Sequence, residues 1–230
     1  MSGTLYGVGV GPGDPELITQ KAARIIRQAH VVAVPDRGGG GQTARAIAGE
    51  LLEGKEILTC ATPMVRDREK VQAAYRRAAE DICALLEAGK DVAFLTLGDP
   101  TVYSTYIYIH RLVEQAGYPT EIVPGVPSFC AAAAKLGVSL CQGEERLLVV
   151  PASHPVDDCL EVQANLLFMK AGRDLPALKE KLAGAGLLEQ AALVSNCGME
   201  GERICPRLAE EDGGEGYFSV VLVRRGGEER

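Results

Sequence analysis

Three segments rich in glycine and proline each follow a short apolar run, and they could together hold a ligand. Their sequences are GVGVGPG at 7–13, LGDP at 97–100 and VPGVPS at 123–128. Glycine lets a bound molecule approach the backbone closely, and open α/β sheets bind ligands at the carboxyl ends of their strands. Asp99 adds a carboxylate that can accept hydrogen bonds from an amine or a ribose hydroxyl. We expect the three segments to converge on one small ligand, held chiefly by backbone groups.

The first segment does not match the common nucleotide-binding motifs. The fingerprint G-x-G-x-x-G needs a glycine five residues after the first one. That position is Pro12 when counted from Gly7 and Asp14 when counted from Gly9. The G-K-[ST] ending of a P-loop is also missing. A dinucleotide-dependent oxidoreductase is therefore disfavoured, and a merely tight strand-to-helix turn is the structural alternative.

Hydrophobic periodicity predicts the elements that position these segments. In the first half, short apolar strands at 4–9, 31–34, 56–59, 91–97 and 120–123 alternate with helical patterns, the first of them capped by Asp14. The second half has more strands per helix, with strand candidates at 146–150, 165–169, 191–195 and 217–224. We predict two α/β domains, 1–120 with a mostly parallel sheet and 121–230 with a mixed sheet, and a cofactor cleft between them.

Composition excludes several classes of protein. The chain has 230 residues, 24 Lys and Arg against 31 Asp and Glu, and a formal net charge of −7, which argues against a nucleic-acid-binding face. No stretch approaches the roughly 18 apolar residues of a membrane span, and we expect no signal peptide, since residues 1–6 show neither a basic nor an apolar region of that kind. The seven cysteines form no C-x-x-C pair, so we expect free, buried thiols, no metal site and a cytoplasmic protein.

Taken together, the three segments resemble the tetrapyrrole methylase family, which transfers methyl groups from S-adenosyl-L-methionine to porphyrinoid rings. The resemblance covers essentially the whole chain and is carried by VGVGPGDP at 8–15, TLGDP at 96–100 and VPGV at 123–126. Within that family, FLTLGDPTVYSTY at 94–106, TPM at 62–64 and VVPA at 149–152 look like the C20-methylating branch of the cobalamin pathway.

This resemblance implies a cofactor, a substrate and an oligomeric state. The methyl donor would be S-adenosyl-L-methionine, with S-adenosyl-L-homocysteine as product, and the substrate precorrin-2 or cobalt-factor II. The family is generally homodimeric. The residues that the resemblance places at the cofactor are Pro12, Leu97, Gly98, Asp99, Val102, Tyr103, Ser128, Phe129, Met169, Asn196, Cys197 and Gly198. Pro127 departs from the commoner Thr or Ser and removes a backbone donor.

Methyl transfer from a sulfonium to an electron-rich meso carbon is an in-line displacement. It needs the reacting atoms aligned within roughly 3–3.5 Å and water excluded, so we expect no indispensable nucleophile or base. Tyr106, Tyr108 and His110 are candidates for assisting loss of the meso proton, with helix packing as the alternative. The candidates for binding the substrate carboxylates are Arg37, Arg66 and Lys170, and an exposed surface charge is the alternative for each.

Two other functions fit the same residues. One is a methylase of this family that acts at another ring position, such as C11 of precorrin-4. The other is a non-catalytic module that binds S-adenosylmethionine. Methyl transfer to a reduced tetrapyrrole, with the methylated carbon identified by NMR, separates all three.

Overall fold

A computed structural model describes residues 1–36, 43–65, 67–211 and 218–225. The chain forms two compact units, Met1–Pro127 and Ser128–Arg230. Each unit contains its own five-stranded sheet with helices packed against it. The predicted fold class, two α/β domains, is confirmed.

The sheet of the first unit is parallel throughout. Its strands are β1 (Leu5–Gly9), β2 (Val31–Asp36), β3 (Glu56–Ala61), β4 (Val92–Thr96) and β5 (Thr120–Val123), in the order β3-β2-β4-β1-β5. All five residues of β4 are buried, as expected for an apolar strand that is covered by helices on both faces. The carboxyl ends of β1, β4 and β5 therefore lie side by side.

Four α-helices of the described part of this unit cover the sheet. They are α1 (Gln20–Gln28), α2 (Thr43–Ala48), α3 (Arg68–Glu87) and α4 (Tyr106–Gln115). Alternate residues of β4 point to opposite faces. Phe94 packs with residues of α3 and α4 in one core, whereas Leu95 packs with residues of α1 and α2 in the other.

The first helix begins later than the sequence predicts. Asp14 does accept a hydrogen bond from the Glu16 N–H, but it caps only a 3₁₀ helix, Pro15–Leu17. The chain then extends to Thr19, whose hydroxyl accepts the Ala22 N–H at 3.1 Å and starts α1. Asp14 and Thr19 are both good N-cap residues, so the sequence alone does not show which of them starts α1.

The sheet of the second unit is mixed, as predicted. Its strands are β6 (Leu147–Pro151), β7 (Asn165–Met169), β8 (Ala191–Ser195), β9 (Arg203–Cys205) and β10 (Ser219–Val223), in the order β6-β7-β10-β8-β9. Among its described strands, β6 and β7 run parallel, and the other neighbouring pairs are antiparallel. Strand β9 was not predicted, because its three residues lie at a sheet edge and are largely exposed.

The helices of this unit are α5 (Ser128–Leu136), α6 (Asp157–Leu160) and α7 (Leu175–Gly184). Leu178 and Leu182 of α7 share a core with Phe168 of β7. Helix α5 packs against β8 and β10. Within the described residues, no helix is both long enough and apolar enough to span a bilayer.

The division between the units falls after Pro127, seven residues beyond the predicted boundary at 120. The difference comes from β5, which pairs with β1 from Leu5↔Thr120 to Val8↔Val123 and so completes the first sheet. The third glycine- and proline-rich segment therefore belongs largely to the first unit, together with the other two.

Candidate functional site

Three glycines, one from each of the three segments, pack backbone against backbone. A Cβ atom added to Gly9 would lie 2.6 Å from both the Gly98 oxygen and the Gly125 nitrogen, and one added to Gly125 would lie 2.2 Å from the Gly98 oxygen. Real Cβ atoms do not approach backbone atoms so closely. We call Gly9, Gly98 and Gly125 the glycine junction. It confirms that the three segments converge and explains why Gly9 and Gly125 carry no side chain.

Backbone hydrogen bonds fix the first two segments to each other. Gly98 donates its N–H to the Gly11 oxygen at 2.7 Å, and Gly11 donates to the Gly98 oxygen at 3.3 Å. Gly11 and Gly98 both have a positive φ, 76° and 70°, which favours glycine. Close packing and paired hydrogen bonds together make this edge of the sheet a defined surface.

The Asp99 carboxylate holds the second and third segments together. Asp99 is buried. Its Oδ2 accepts the Gly125 N–H at 3.0 Å, while its Oδ1 accepts the Thr101 N–H at 2.7 Å and the Thr101 hydroxyl. The sequence predicted hydrogen bonds to a ligand amine or ribose. The structure gives the carboxylate three donors from the protein itself, and a contact with a ligand stays a prediction.

Three non-glycine residues in the described part of the chain have a left-handed backbone. They are Tyr103 (φ 47°), Lys170 (φ 58°) and Asn196 (φ 50°), and the sequence had singled out all three for a binding role. Such conformations cost on the order of 1–3 kcal/mol and tend to cluster at binding and active sites. Tyr103 is also about half exposed, at 48%.

In the second unit, the predicted residues Met169, Lys170 and Asn196 lie at one end of the sheet. Met169 ends β7, Lys170 follows it, Asn196 follows β8, and Ser219 begins β10 between those two strands. Asn196 donates its N–H to the Phe218 oxygen at 2.9 Å. The buried hydroxyls of Ser195 and Ser219 are 2.8 Å apart and hydrogen-bonded. These contacts hold the loop after β8 against the start of β10.

The tyrosines after the Gly-Asp-Pro turn differ in their surroundings. Tyr106 is fully buried, and its ring lies over Gly7, where a Cβ would come within 2.0 Å of the ring. Its hydroxyl and His110 Nδ1 share a hydrogen bond of 2.9 Å. Burial raises the pKa of the Tyr106 hydroxyl well above its usual value. Tyr108 is half exposed and stacks on Tyr75, with ring centroids 5.5 Å apart.

For Tyr106, this geometry favours the packing alternative over a role in proton transfer. A fully buried hydroxyl with a raised pKa stays protonated at neutral pH and provides no phenolate to accept a proton, and its ring packs in the first core rather than facing solvent. His110 is partly exposed but bonded to Tyr106. A catalytic role of Tyr108 or His110 stays a prediction.

All seven cysteines lie in the described residues and are free thiols. Cys60 and Cys197 are buried as predicted, whereas Cys130 and Cys141 are exposed. Burial raises the pKa of Cys60 to about 12, with a smaller contribution from the negative charge of Asp81. Across the described residues, no group of His, Cys, Asp and Glu side chains is arranged to hold a metal ion.

Comparison with known proteins identifies the family. Residues 4–211 match the family described as Tetrapyrrole (Corrin/Porphyrin) Methylases. The chain belongs to this family. The match includes the whole glycine junction and the carboxyl ends of β7 and β8, so the predicted resemblance is confirmed.

Two relatives of this tetrapyrrole methylase align over nearly their full length. A Cobalt-precorrin-2 C(20)-methyltransferase of Salmonella typhimurium is 37% identical, over 98% of this chain and 98% of its own. A Precorrin-2 C(20)-methyltransferase of Sinorhizobium sp is 34% identical, over 96% of this chain and 95% of its own. Among solved structures, a uroporphyrin-III C-methyl transferase from Thermus thermophilus, complexed with S-adenyl homocysteine, has the same fold. Its TM-score is 0.71 at 23% identity, with 97% of this chain and 98% of that one covered.

The predicted cofactor residues of this tetrapyrrole methylase are distributed over both units. In the first unit, Pro12 is buried and the stretch 97–103 follows β4. In the second, Ser128 and Phe129 lie in the first turn of α5, which packs on β8 and β10, and 196–198 follow β8. That these groups bind the cofactor stays a prediction.

Of the three residues predicted to bind the substrate carboxylates, the structure describes Lys170. Lys170 follows β7 directly and is partly exposed. Arg37 and Arg66 lie outside the described residues. Binding of substrate carboxylates by these three side chains stays a prediction.

Sequence reasoning missed two residues that shape the site. Thr101 provides two of the three donors to Asp99. The spacing of an aspartate two residues before a threonine is typical of an Asx turn and could have indicated it. Glu202 accepts the Gly198 N–H, and no local pattern marks a carboxylate that reaches back four residues in an irregular loop.

Proposed function

We propose that this chain is an S-adenosylmethionine-dependent methyltransferase that methylates the C20 meso carbon of precorrin-2 or cobalt-factor II in cobalamin biosynthesis. The observation that carries the proposal is the pair of near full-length relatives, 37% and 34% identical, that are both named for C(20) methylation of a precorrin-2 ring. Both alignments include every predicted cofactor residue group. Fold similarity alone would not distinguish one ring position from another.

The residues present fit S-adenosylmethionine as the methyl donor. The glycine junction and Gly11 present backbone without side chains at the carboxyl edge of a parallel sheet, where such sheets bind ligands. Tyr103, with its left-handed backbone, follows this edge directly. The structural neighbour solved with S-adenyl homocysteine supports the same class of cofactor. When bound, the cofactor supplies the methyl group on its sulfonium.

The protein's own contribution is orientation. The ring carbon is already electron-rich, so the described residues need only hold two reactants in line and keep water out. Asp99 and the hydrogen bonds between Gly11 and Gly98 make the first-unit surface rigid before binding. Tyr106 supports this surface from the core, because its ring packs against Gly7 of β1.

The substrate's acetate and propionate groups call for local cations on a chain of net charge −7. We assign this function to Lys170, Arg37 and Arg66. Arginine suits carboxylates because its planar group donates two parallel hydrogen bonds. Replacing each residue by Ala should raise KM for the tetrapyrrole and leave S-adenosylhomocysteine affinity unchanged. Equal loss of both affinities would argue against the assignment.

We further propose that the enzyme acts in the cytoplasm as a homodimer. The family resemblance supports the dimer, and the seven free thiols fit a reducing compartment. Light scattering at several concentrations would test the dimer. A mass near the 24.4 kDa of a single chain would contradict it.

The experiment that tests the function compares two substrates in parallel. Metal-free precorrin-2 and its cobalt-containing counterpart are each incubated with the enzyme and S-adenosylmethionine labelled in the methyl group. We expect label in the tetrapyrrole from at least one substrate, and the faster reaction identifies the natural one. Binding of the labelled donor without transfer to either ring would favour the non-catalytic module.

A further inference from the structure

Glu202 lies at the end of the loop that leads from β8 to β9 and has no assigned function. Its Oε2 accepts the Gly198 N–H at 2.6 Å, and its Oε1 accepts the Lys135 Nζ at 3.0 Å. Only 24% of its side chain is exposed. The carboxylate therefore uses both oxygens, one on a loop backbone and the other on a helix.

Both partners of Glu202 belong to elements that carry predicted cofactor residues. Gly198 is itself one of them, with Asn196 and Cys197 next to it. Lys135 lies in the last turn of α5, and the first turn of the same helix carries Ser128 and Phe129. The Glu202 carboxylate thus connects the loop after β8 with α5, and both carry predicted cofactor residues of the second unit.

Further hydrogen bonds within the loop fix the position of Glu202. Met199 donates its N–H to the Asn196 oxygen at 2.9 Å, and Glu202 donates its own to the Met199 oxygen at 3.1 Å. Asn196 Nδ2 donates to the Gly201 oxygen at 3.3 Å. Gly198 has a left-handed φ of 72°. These turns bring the carboxylate back onto Gly198, and its hydrogen bond closes the loop.

We propose that Glu202 is a positioning residue for the cofactor: it fixes the backbone of the loop 196–198 and links it to α5 through Lys135. The proposal rests on the proposed function. The Gly198 N–H, and next the Lys135 ammonium, lower the pKa of Glu202, so that it is charged at neutral pH. A charged acceptor makes the stronger hydrogen bond to a backbone N–H.

The test compares Glu202→Ala and Glu202→Gln in the full chain. Titration calorimetry gives the Kd for S-adenosylhomocysteine, and hydrogen exchange reports the amides of 196–202. The matched control is Asp157→Asn, which breaks the ion pair of 2.6 Å between α6 and Lys181 of α7 in the same unit. Asp157 is in no predicted cofactor group, so its loss measures the effect of a broken surface pair alone.

We expect Glu202→Ala to weaken S-adenosylhomocysteine binding about 10-fold, since it removes a charged hydrogen-bond acceptor. In the same variant, hydrogen exchange of the backbone amides of 196–202 should become faster. Glu202→Gln keeps an acceptor for Gly198 but loses the attraction to Lys135, so its Kd should lie between those of Glu202→Ala and the wild type. Asp157→Asn should leave both readouts unchanged.

Two results would overturn the proposal in distinguishable ways. If the wild-type chain binds S-adenosylhomocysteine and both Glu202 variants bind it as tightly as the wild type does, Glu202 does not position the cofactor, and only this inference fails. If the wild-type chain does not bind it, the proposed function fails and this inference fails with it. Glu202→Gln keeps the test valid should Glu202→Ala not fold.

Discussion

The Asp99 carboxylate accepts the backbone N–H of Gly125 at 3.0 Å, across 26 residues of sequence. This bond joins the loop after β4 to the loop after β5. Because Asp99 is buried and also accepts two donors from Thr101, it stabilises the site as an internal connection. The side chain that the sequence predicts as a ligand contact therefore also supports the surface around it.

Removing this connection should weaken both folding and cofactor binding. Asp99→Ala leaves the Gly125 and Thr101 donors without their acceptor, which should cost about 2 kcal/mol of unfolding free energy. S-adenosylhomocysteine affinity should fall, because the two loops separate. Thr101→Val should also lower the unfolding free energy and the affinity for S-adenosylhomocysteine, but by less than Asp99→Ala does. Urea unfolding and calorimetry measure the two effects.

Asp91 provides the control for this prediction. It lies before β4, at the opposite end of the same strand, and its Oδ1 accepts the Thr4 N–H at 2.8 Å. Asp91→Ala should reduce stability but leave S-adenosylhomocysteine affinity unchanged. If Asp99→Ala destabilises the fold no more than Thr101→Val does, yet abolishes binding, Asp99 contacts the cofactor directly.

The glycine junction should tolerate no side chain. Gly9→Ala and Gly125→Ala each place a methyl group 2.2–2.6 Å from backbone atoms of a neighbouring loop. The resulting overpacking should lower the unfolding free energy by about 1–3 kcal/mol. Gly184→Ala is the control, since its Cβ would meet nothing within 4 Å. Equal stability of all three variants in chemical denaturation would contradict the close packing.

Tyr106→Phe should preserve methyl transfer. It removes the hydroxyl that bonds to His110 Nδ1 but keeps the ring over Gly7. The lost hydrogen bond should cost about 1 kcal/mol of stability, with kcat close to the wild-type value. A loss of turnover with unchanged affinity for both ligands would instead show that this hydroxyl takes part in proton transfer.

Stability should depend on pH through Glu202. Its pKa is lowered in the folded chain, first by the Gly198 N–H and then by Lys135, whereas in the unfolded chain it should lie near the usual 4.5. The contribution is therefore complete above that value and is lost as the pH falls through the lowered pKa. The difference in unfolding free energy between wild type and Glu202→Gln should be largest at neutral pH and shrink in acid. A difference that does not change with pH would contradict a charged Glu202.

Much of the fold is predictable because buried parallel strands are continuous apolar runs. The prediction of β5 at 120–123 was correct, and that of β4 at 91–97 was one residue too long at each end. The convergence of the three glycine segments followed from their common position after strands. Local rules failed where two signals competed, as at the Asp14 and Thr19 caps, and where an element was short and exposed, as in β9.

The partners of the site carboxylates were beyond prediction for a physical reason. Asp99 and Gly125 meet only because β4 and β5 both lie beside β1 in the sheet, and strand order is a property of the whole unit. The left-handed backbone of Tyr103 and Lys170 is likewise not indicated by residue type, whereas Asn196 is of a type that tolerates this conformation. The sequence could name these positions through family resemblance, but it could not give their geometry.

The most direct test of the proposed function is the position of the new carbon–carbon bond. S-adenosylmethionine carrying a ¹³C methyl group is incubated with the enzyme and the faster of the two precorrin-2 substrates, and the product is examined by NMR. We predict one labelled methyl group, attached to the C20 meso carbon. A labelled methyl group on any other ring carbon, such as C11, would contradict the account.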